Sequence, residues 1–506
     1  MRPPELLADY AGALREIVIP WQPSLPDPRA GNSPRMLAVN ADLARELGLD
    51  PQWLSSPQAL AVLGARAVLP GSTPVAQAYA GHQFGGFSPL LGDGRAVLLG
   101  EVRDDHGRLR DLALKGSGRT PFSRGGDGRA ALGPVLREYL FGEAMHALGI
   151  PTTRALAVVA TGDRVFRDGG MPPGAVLTRV ANSHLRVGTF EVVARSLAPE
   201  LREPVLRRLV AYAVRRHLPE LAPAPHTTAG PGPGPGPETV AAEALALLDA
   251  VVGAQADLVA RWVAVGFVHG VVNTDNTTIS GETIDYGPCA WLETYDPDAV
   301  FSSIDTGGRY RFGNQAPIML WNLGRFAETL LPLIAPDPND AVAQASKVLE
   351  TFPERHRAHL ADQFARKLAL TGSRPEDAAL VSDLLEALNA GGADYTATWR
   401  LLAAHLRSDR TEVPGVPPGW LNRWVERLDG DRTAAATAMD AVNPAYVPRN
   451  HLVEEALAAA VAGDLAPFER LLGAVREPYV ERSQWRDLAA SAPAGFTERH
   501  VTYCGT

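Results

Sequence analysis

The stretch from Phe267 to Pro288, FVHGVVNTDNTTISGETIDYGP, gathers one histidine (His269), two asparagines (Asn273, Asn276) and two aspartates (Asp275, Asp285) around a turn at Ser280-Gly281 and a strand-like pair, Thr283-Ile284. A loop, a turn and a second loop rich in oxygen donors can hold a hard cation such as Mg²⁺, which keeps substrate phosphate and water in its remaining positions. The chemistry this pattern points to is phosphate chemistry.

Spacing sharpens the reading. His269 and Asn276 stand seven apart, as do the ends of the protein-kinase catalytic loop H-R-D-x-x-x-x-N. Asp285-Tyr286-Gly287 then stands where that site has D-F-G. The usual catalytic aspartate is missing: its position is Val271, and Asp275 lies instead directly beside Asn276. The plainer alternative is that His269 packs beneath the loop and the Asp and Asn side chains only close turns.

The chain has 506 residues, 46% of them apolar, which suits two or more globular folding units. The most apolar stretch, Leu245 to Val268, is interrupted by Asp249, Asp257 and Arg261, so it reads as an amphipathic helix and not a membrane span. The start, MRPPELLADY, lacks a basic region followed by an apolar run. A cytoplasmic protein that engages no membrane is expected. The net charge of −9 argues against general nucleic-acid affinity. Two cysteines, Cys289 and Cys504, are too few for a disulfide framework. Only three of the 48 basic residues are lysines, and the other 45 are arginines. Lys347 and Lys367 fall in polar helical segments and are expected to be solvated, whereas Lys115 ends an apolar strand. A lysine there is a compact charge suited to a phosphate.

Residues 1 to about 75 read as a wrapping extension, with helices at Ala41–Leu47 and Pro57–Leu69. Gly81, Gly85, Gly86, Gly92 and Gly94 surround two turns before the strand Ala96–Val102, and Arg95 adjoins them; glycines let backbone N–H groups approach an anion. A hairpin turn at Asp104-Asp105-His106-Gly107 leads into the strand Leu109–Lys115. After the polar loop GSGRTPFSRGGDGRA a helix starts near Pro134, and Glu138 on it is the best partner for Lys115, with Glu143 the rival on another face. Strands around Ala155–Val159 and Ala175–Leu177, flanking a turn at Asp168-Gly169-Gly170, complete a small β-rich lobe. The chain leaves it through Arg179 and Arg186, guanidiniums better suited to phosphate than to adenine. Helices dominate from Phe190 onward, interrupted by APAPHTTAGPGPGPGPE, a Pro/Gly insertion that cannot form a packed core.

HGVVNTDN with TIDYGP, LKGSGRTPFSRGGDGRA, GHQFGGFSPLLGDGR, TRVANSHLRVGTFE and NPAYVPRNHL together resemble the motifs of the selenoprotein O family, the YdiU-type protein nucleotidyltransferases, from about residue 80 onward. The resemblance implies a protein-kinase-like fold that binds ATP turned around, so that AMP passes from the α-phosphate to protein hydroxyls and pyrophosphate leaves. UMP transfer from UTP, favoured by Mn²⁺, is also implied. Carried onto matching positions, it makes Gly92, Gly94, Arg95, Lys115, Asp127, Gly128, Arg179, Arg186 and Asp285 nucleotide-contacting, with Glu138 supporting Lys115. Asn276 and Asp285 would bind Mg²⁺ or Mn²⁺, and Asp275 would accept the proton of the target hydroxyl. Family members carry selenocysteine or cysteine near the C-terminus, which Cys504 matches. Some bacterial members pair that residue with a cysteine in the loop after D-Y-G, where this chain has Phe301-Ser302. A free, buried Cys289 is therefore expected.

The expected architecture is α+β, a protein-kinase-like bilobal fold. An N-terminal extension covers 1–80, a small β-rich N-lobe 81–188, a large helical C-lobe 189–410 with a disordered Pro/Gly loop at 222–238, and a helical C-terminal region with a Cys-bearing tail 411–506. The expected function is protein adenylyl transfer, with possible UMP transfer, to Ser, Thr or Tyr of protein substrates by a monomer. A kinase-type phosphotransferase and a catalytically silent nucleotide-binding scaffold are the alternatives.

Overall fold

In the computed structural model, residues 3–23, 33–167, 170–221, 236–372, 374–408 and 413–503 are described. The strands up to residue 181 are β1 (Val18–Pro20), β2 (Arg35–Val39), β3 (Val75–Gln77), β4 (Gly81–Gln83), β5 (Gly86–Ser88), β6 (Ala96–Arg103), β7 (Leu109–Lys115), β8 (Ala130–Ala131), β9 (Arg154–Arg164) and β10 (Pro173–Ala181). Eight form one sheet in the order β1-β3-β6-β7-β10-β9-β2, with β8 pairing β10; β4 and β5 form a separate hairpin. Every pair in that order is antiparallel.

Period-two alternation sorts the side chains of this sheet. Leu112 and Leu114 of β7 join Val176 and Val180 of β10 against Trp53, Leu54, Val62 and Leu63 of the N-terminal segment. Leu177 faces the other way, in one cluster with Leu136, Tyr139 and Leu140 of the helix Leu132–Ala147. Residues directly opposite in an antiparallel pair share a face, and Leu177 stands opposite Lys115 while Arg179 stands opposite Ala113. The register thus puts Lys115 and Arg179 on the face that this helix covers.

The N-terminal segment does more than wrap. Its β1 and β2 are the two edges of the sheet, strands too short to leave an alternating pattern. The helix expected over Pro57–Leu69 stops at Leu63, where Gly64 is its C-cap and Ala65 turns to φ 58°.

The remainder is mainly helical. The helix Pro237–Val265 is long and apolar enough to cross a membrane by length and composition, yet it packs on the helices Phe352–Lys367 and Gln315–Ile334. It begins with proline in its first turn, two residues inside the predicted loop 222–238, whose positions 222–235 lie outside the described residues. Asp168 and Gly169 of the expected turn also lie outside them, as does Cys504. The helices Asn450–Ala462 and Ala466–Arg476 pack on Leu132–Ala147, so that helix is enclosed from both sides.

Lys367 corrects an expectation. Instead of being solvated it is 4% exposed, with its ammonium 4.4 Å from the centre of the Trp399 ring. Burial pushes its pKa down to about 7. Cys289 is free and buried as expected, and burial pushes its thiol up to about 12.

Candidate active site

The end of β7, the middle of β10 and the start of the D-Y-G turn converge on one cavity of about 690 Å³. Lys115 Nζ lies 2.5 Å from Glu138 Oε2 and 2.7 Å from Asp285 Oδ1. Arg179 is 2.6 Å from the other Glu138 oxygen. Glu138 therefore bridges two cations and fixes their spacing, while burial works against its charge and Arg179 and Lys115 overcome that, lowering its pKa. Glu143, the rival, pairs instead with Arg154 at 2.7 Å and Arg476 at 3.0 Å.

Asp285 adopts φ 66°, a left-handed conformation uncommon for a non-glycine residue. Burial raises its carboxyl, but Lys115, Arg179 and Arg95 outweigh burial and hold it far below the usual carboxylate range. It is a permanent anion at any physiological pH.

Gly92, Gly94, Arg95, Lys115, Asp127, Gly128, Arg179, Arg186 and Asp285 all line this cavity. So do Arg119, Arg124, Arg129 and Arg167, which gives eight basic groups against the carboxylates of Asp93, Asp127 and Asp285. Such a wall favours a polyanion. Asp127 is spent on Arg167, at 3.0 Å, and on the backbone N–H of Arg129. Gly128 has φ 67°, and a Cβ there would meet the Gly118 carbonyl oxygen at 2.1 Å, so the loop closes only with glycine at that position.

Asp275 and Asn276 are not among the lining residues of the cavity; they sit in a short turn, Thr274–Asn276, beside it. The Arg186 guanidinium joins the two places: it donates to the Asp275 carbonyl at 3.2 Å and lies 4.3 Å over the Tyr79 ring. Asp275 is 8% exposed; its Oδ2 accepts from Gln83 Nε2 at 3.0 Å, and its buried Oδ1 has no partner. Burial raises its pKa to about 6, against the opposing pull of Gln83 and Arg186. A carboxylate so placed can accept a proton at neutral pH.

The hairpin β4–β5 builds this second half. The His82 N–H donates to Thr274 Oγ1 at 2.7 Å, the His82 ring pairs with Glu191 at 2.5 Å, and Glu191 accepts from Thr274 at 2.6 Å. Gly81 is required by close approach, since a Cβ there would meet Asp275 Oδ1 at 2.8 Å. Of the glycines assigned an anion-cradling role, Gly92 and Gly94 reach the cavity, while Gly81, Gly85 and Gly86 do not line it and belong to this hairpin. Gln83 and Tyr79 were not singled out by the sequence.

His269 follows the plainer reading: its Nε2 bonds the Ile284 carbonyl at 2.9 Å, and burial keeps its pKa down. The Asn276 amide nitrogen donates to the Val271 carbonyl at 3.0 Å, which leaves its oxygen for a hard cation. Among the described residues no cluster of three or more His, Cys, Asp or Glu side chains could hold a metal. Two oxygen donors, Asn276 and Asp285, suit Mg²⁺ or Mn²⁺ only if phosphate and water complete the shell. The chain's last described turn reaches this region too: Thr502 pairs with Ser302 and donates to the Pro288 carbonyl at 2.7 Å.

Comparison with known proteins finds relatives over nearly the whole chain. A family model described as "Protein adenylyltransferase SelO" matches residues 27–476. A protein from Cereibacter sphaeroides named "Protein nucleotidyltransferase YdiU" is 54% identical over 503 residues, 98% of each chain. Relatives of the same name from Rhodococcus jostii, 52% identical over 99% of this chain and 94% of theirs, and Mycolicibacterium smegmatis, 51% identical over 98% and 97%, match as fully.

Proposed function

The chain belongs to the SelO family of protein adenylyltransferases, and from that premise we propose that it transfers AMP from ATP to Ser, Thr or Tyr hydroxyls of proteins with release of pyrophosphate. The observation that carries this reading is the placing of Arg179 and Arg186 in one cavity with Lys115 and Asp285. Two guanidiniums where a phosphotransferase offers backbone to adenine suit a nucleotide held with its β- and γ-phosphates inward. None of these contacts reads the base, so UTP is admitted on the same terms.

In this account Lys115, Arg179, Arg186 and Arg95 bind the triphosphate, and Glu138 sets the spacing of the first two. The target hydroxyl oxygen attacks the α-phosphorus, its proton passes to Asp275, and the bond to pyrophosphate breaks with its electron pair on the leaving group. Asn276 and Asp285 would hold Mg²⁺ or Mn²⁺, which supplies charge neutralisation on the phosphates. Residues 81–188, with the strands β1, β2 and β3 that the N-terminal segment adds to their sheet, form the smaller lobe of a kinase-like pair, and 189–410 the larger. The acceptors are cytoplasmic proteins, met by a monomer.

The test uses ATP labelled at either the α- or the γ-phosphate, a generic protein acceptor and Mg²⁺ or Mn²⁺. Transfer of α-label alone supports the reading. Transfer of γ-label alone makes the protein a phosphotransferase, and protection of the fold by ATP without transfer of either label makes it a scaffold.

A further inference from the structure

Two large aromatic side chains stand exposed beside Asp275. Phe84 is 40% and Phe87 39% exposed, both on the β4–β5 hairpin. Large apolar groups are rarely left in contiguous exposed patches without a partner. Here the hairpin is anchored, not loose: the Phe84 N–H donates to Tyr310 Oη at 2.9 Å and to Asn273 Oδ1 at 3.3 Å, and Phe84 holds φ 51°. Its ring rests on the buried Tyr310 ring at 5.1 Å, and the Phe87 ring on the buried His82 ring at 4.9 Å, which in turn meets Trp321.

A cation completes the patch. The Arg309 guanidinium lies 4.8 Å over the Trp321 ring and within 3.8 Å of where a Cβ on Gly85 would stand. Its buried Nε has no hydrogen-bond partner, and among the described residues Arg309 joins no ion pair. Its neighbours Arg195 and Arg325 both pair with Glu328, so of these three arginines Arg309 is the one without a carboxylate partner among the described residues. Aromatic residues and arginine are the types enriched where protein partners dock.

We propose that this surface docks the acceptor: an extended segment of the protein substrate carrying an apolar residue for Phe84 and Phe87 and an acidic residue for Arg309, close to the modified hydroxyl. The inference rests on the adenylyl-transfer reading above and names the substrate class it leaves open. The placing of the hairpin supports it. Gln83, whose side chain touches Asp275, is the residue before Phe84, and a chain advances about 3.3 Å per extended residue. The apolar position therefore falls close in sequence to the hydroxyl.

The experiment compares serine peptides flanked by leucine and glutamate, by leucine and lysine, or by alanines, with α-labelled ATP and an intact protein acceptor alongside. The wild type is expected to favour the leucine–glutamate peptide by about 10-fold in kcat/KM. Arg309→Glu should invert the preference between glutamate and lysine. Phe84→Ala should raise the KM of the leucine–glutamate peptide about 5- to 10-fold while leaving the KM for ATP unchanged. Transfer by the wild type without preference among the peptides, or an unaltered preference in both variants, overturns the docking surface and leaves adenylyl transfer standing. Transfer of no α-label even to the intact protein overturns the reading on which it rests.

Discussion

Asp275 and Asp285 are ten residues apart on one loop and are driven in opposite directions. Asp285 faces Lys115 at 2.7 Å and is held ionised far below the usual range. Asp275 is the better shielded from solvent, receives one hydrogen bond from Gln83, and is pushed up to about 6. Burial taxes both; what differs is the compensation. Three nearby cations repay it for Asp285, whereas Asp275 has an amide, a more distant guanidinium and an oxygen with no partner. Two carboxylates split in this way suit different roles, and the proposed mechanism uses one as a fixed charge and the other as a proton acceptor.

The split can be broken from either side. Asp285→Ala leaves Lys115 with Glu138 as its remaining carboxylate partner and removes an oxygen donor, and transfer should fall by about 10³-fold, read as α-label incorporation. Asp275→Asn keeps the shape and the Gln83 contact but cannot take a proton, and should cost about 10²-fold. The same variant has a second readout. A carboxyl whose folded pKa lies above its unfolded value costs stability once it ionises, so the cost grows from about pH 4 to about pH 6 and persists above. Asp275→Asn should therefore raise Tm at pH 8, by roughly 1–3 kcal/mol in stability, and leave it unchanged below pH 4.

Smaller effects sharpen the comparison. Glu138→Gln loosens the spacing of Lys115 and Arg179 and should reduce kcat/KM for ATP by about 10-fold. Gln83→Leu removes the hydrogen bond that favours the ionised form of Asp275, so the acid limb of its pH–rate profile should move upward while the KM for ATP stays put.

Much of the phosphate half was legible in the sequence because its signals are local. A lysine ending an alternating strand, a glutamate on the next helix and an aspartate before Tyr-Gly carry their meaning in spacing. The half around Asp275 was legible only as Asp275 itself. Gln83 reaches it across 192 residues, and nothing periodic connects them. β1 and β2 were missed because strands of three and five residues leave no pattern. Lys367 was misread because its helix is polar overall, and only tertiary packing buries that one turn against Trp399.

The most direct test is the pH dependence of α-label transfer by the wild type, with kcat/KM for the acceptor followed from pH 5 to 8. The split carboxylates predict an acid limb with a midpoint near the value of about 6 that burial gives Asp275. A profile flat across that range would contradict the account, because no proton acceptor would then be titrating where Asp275 does.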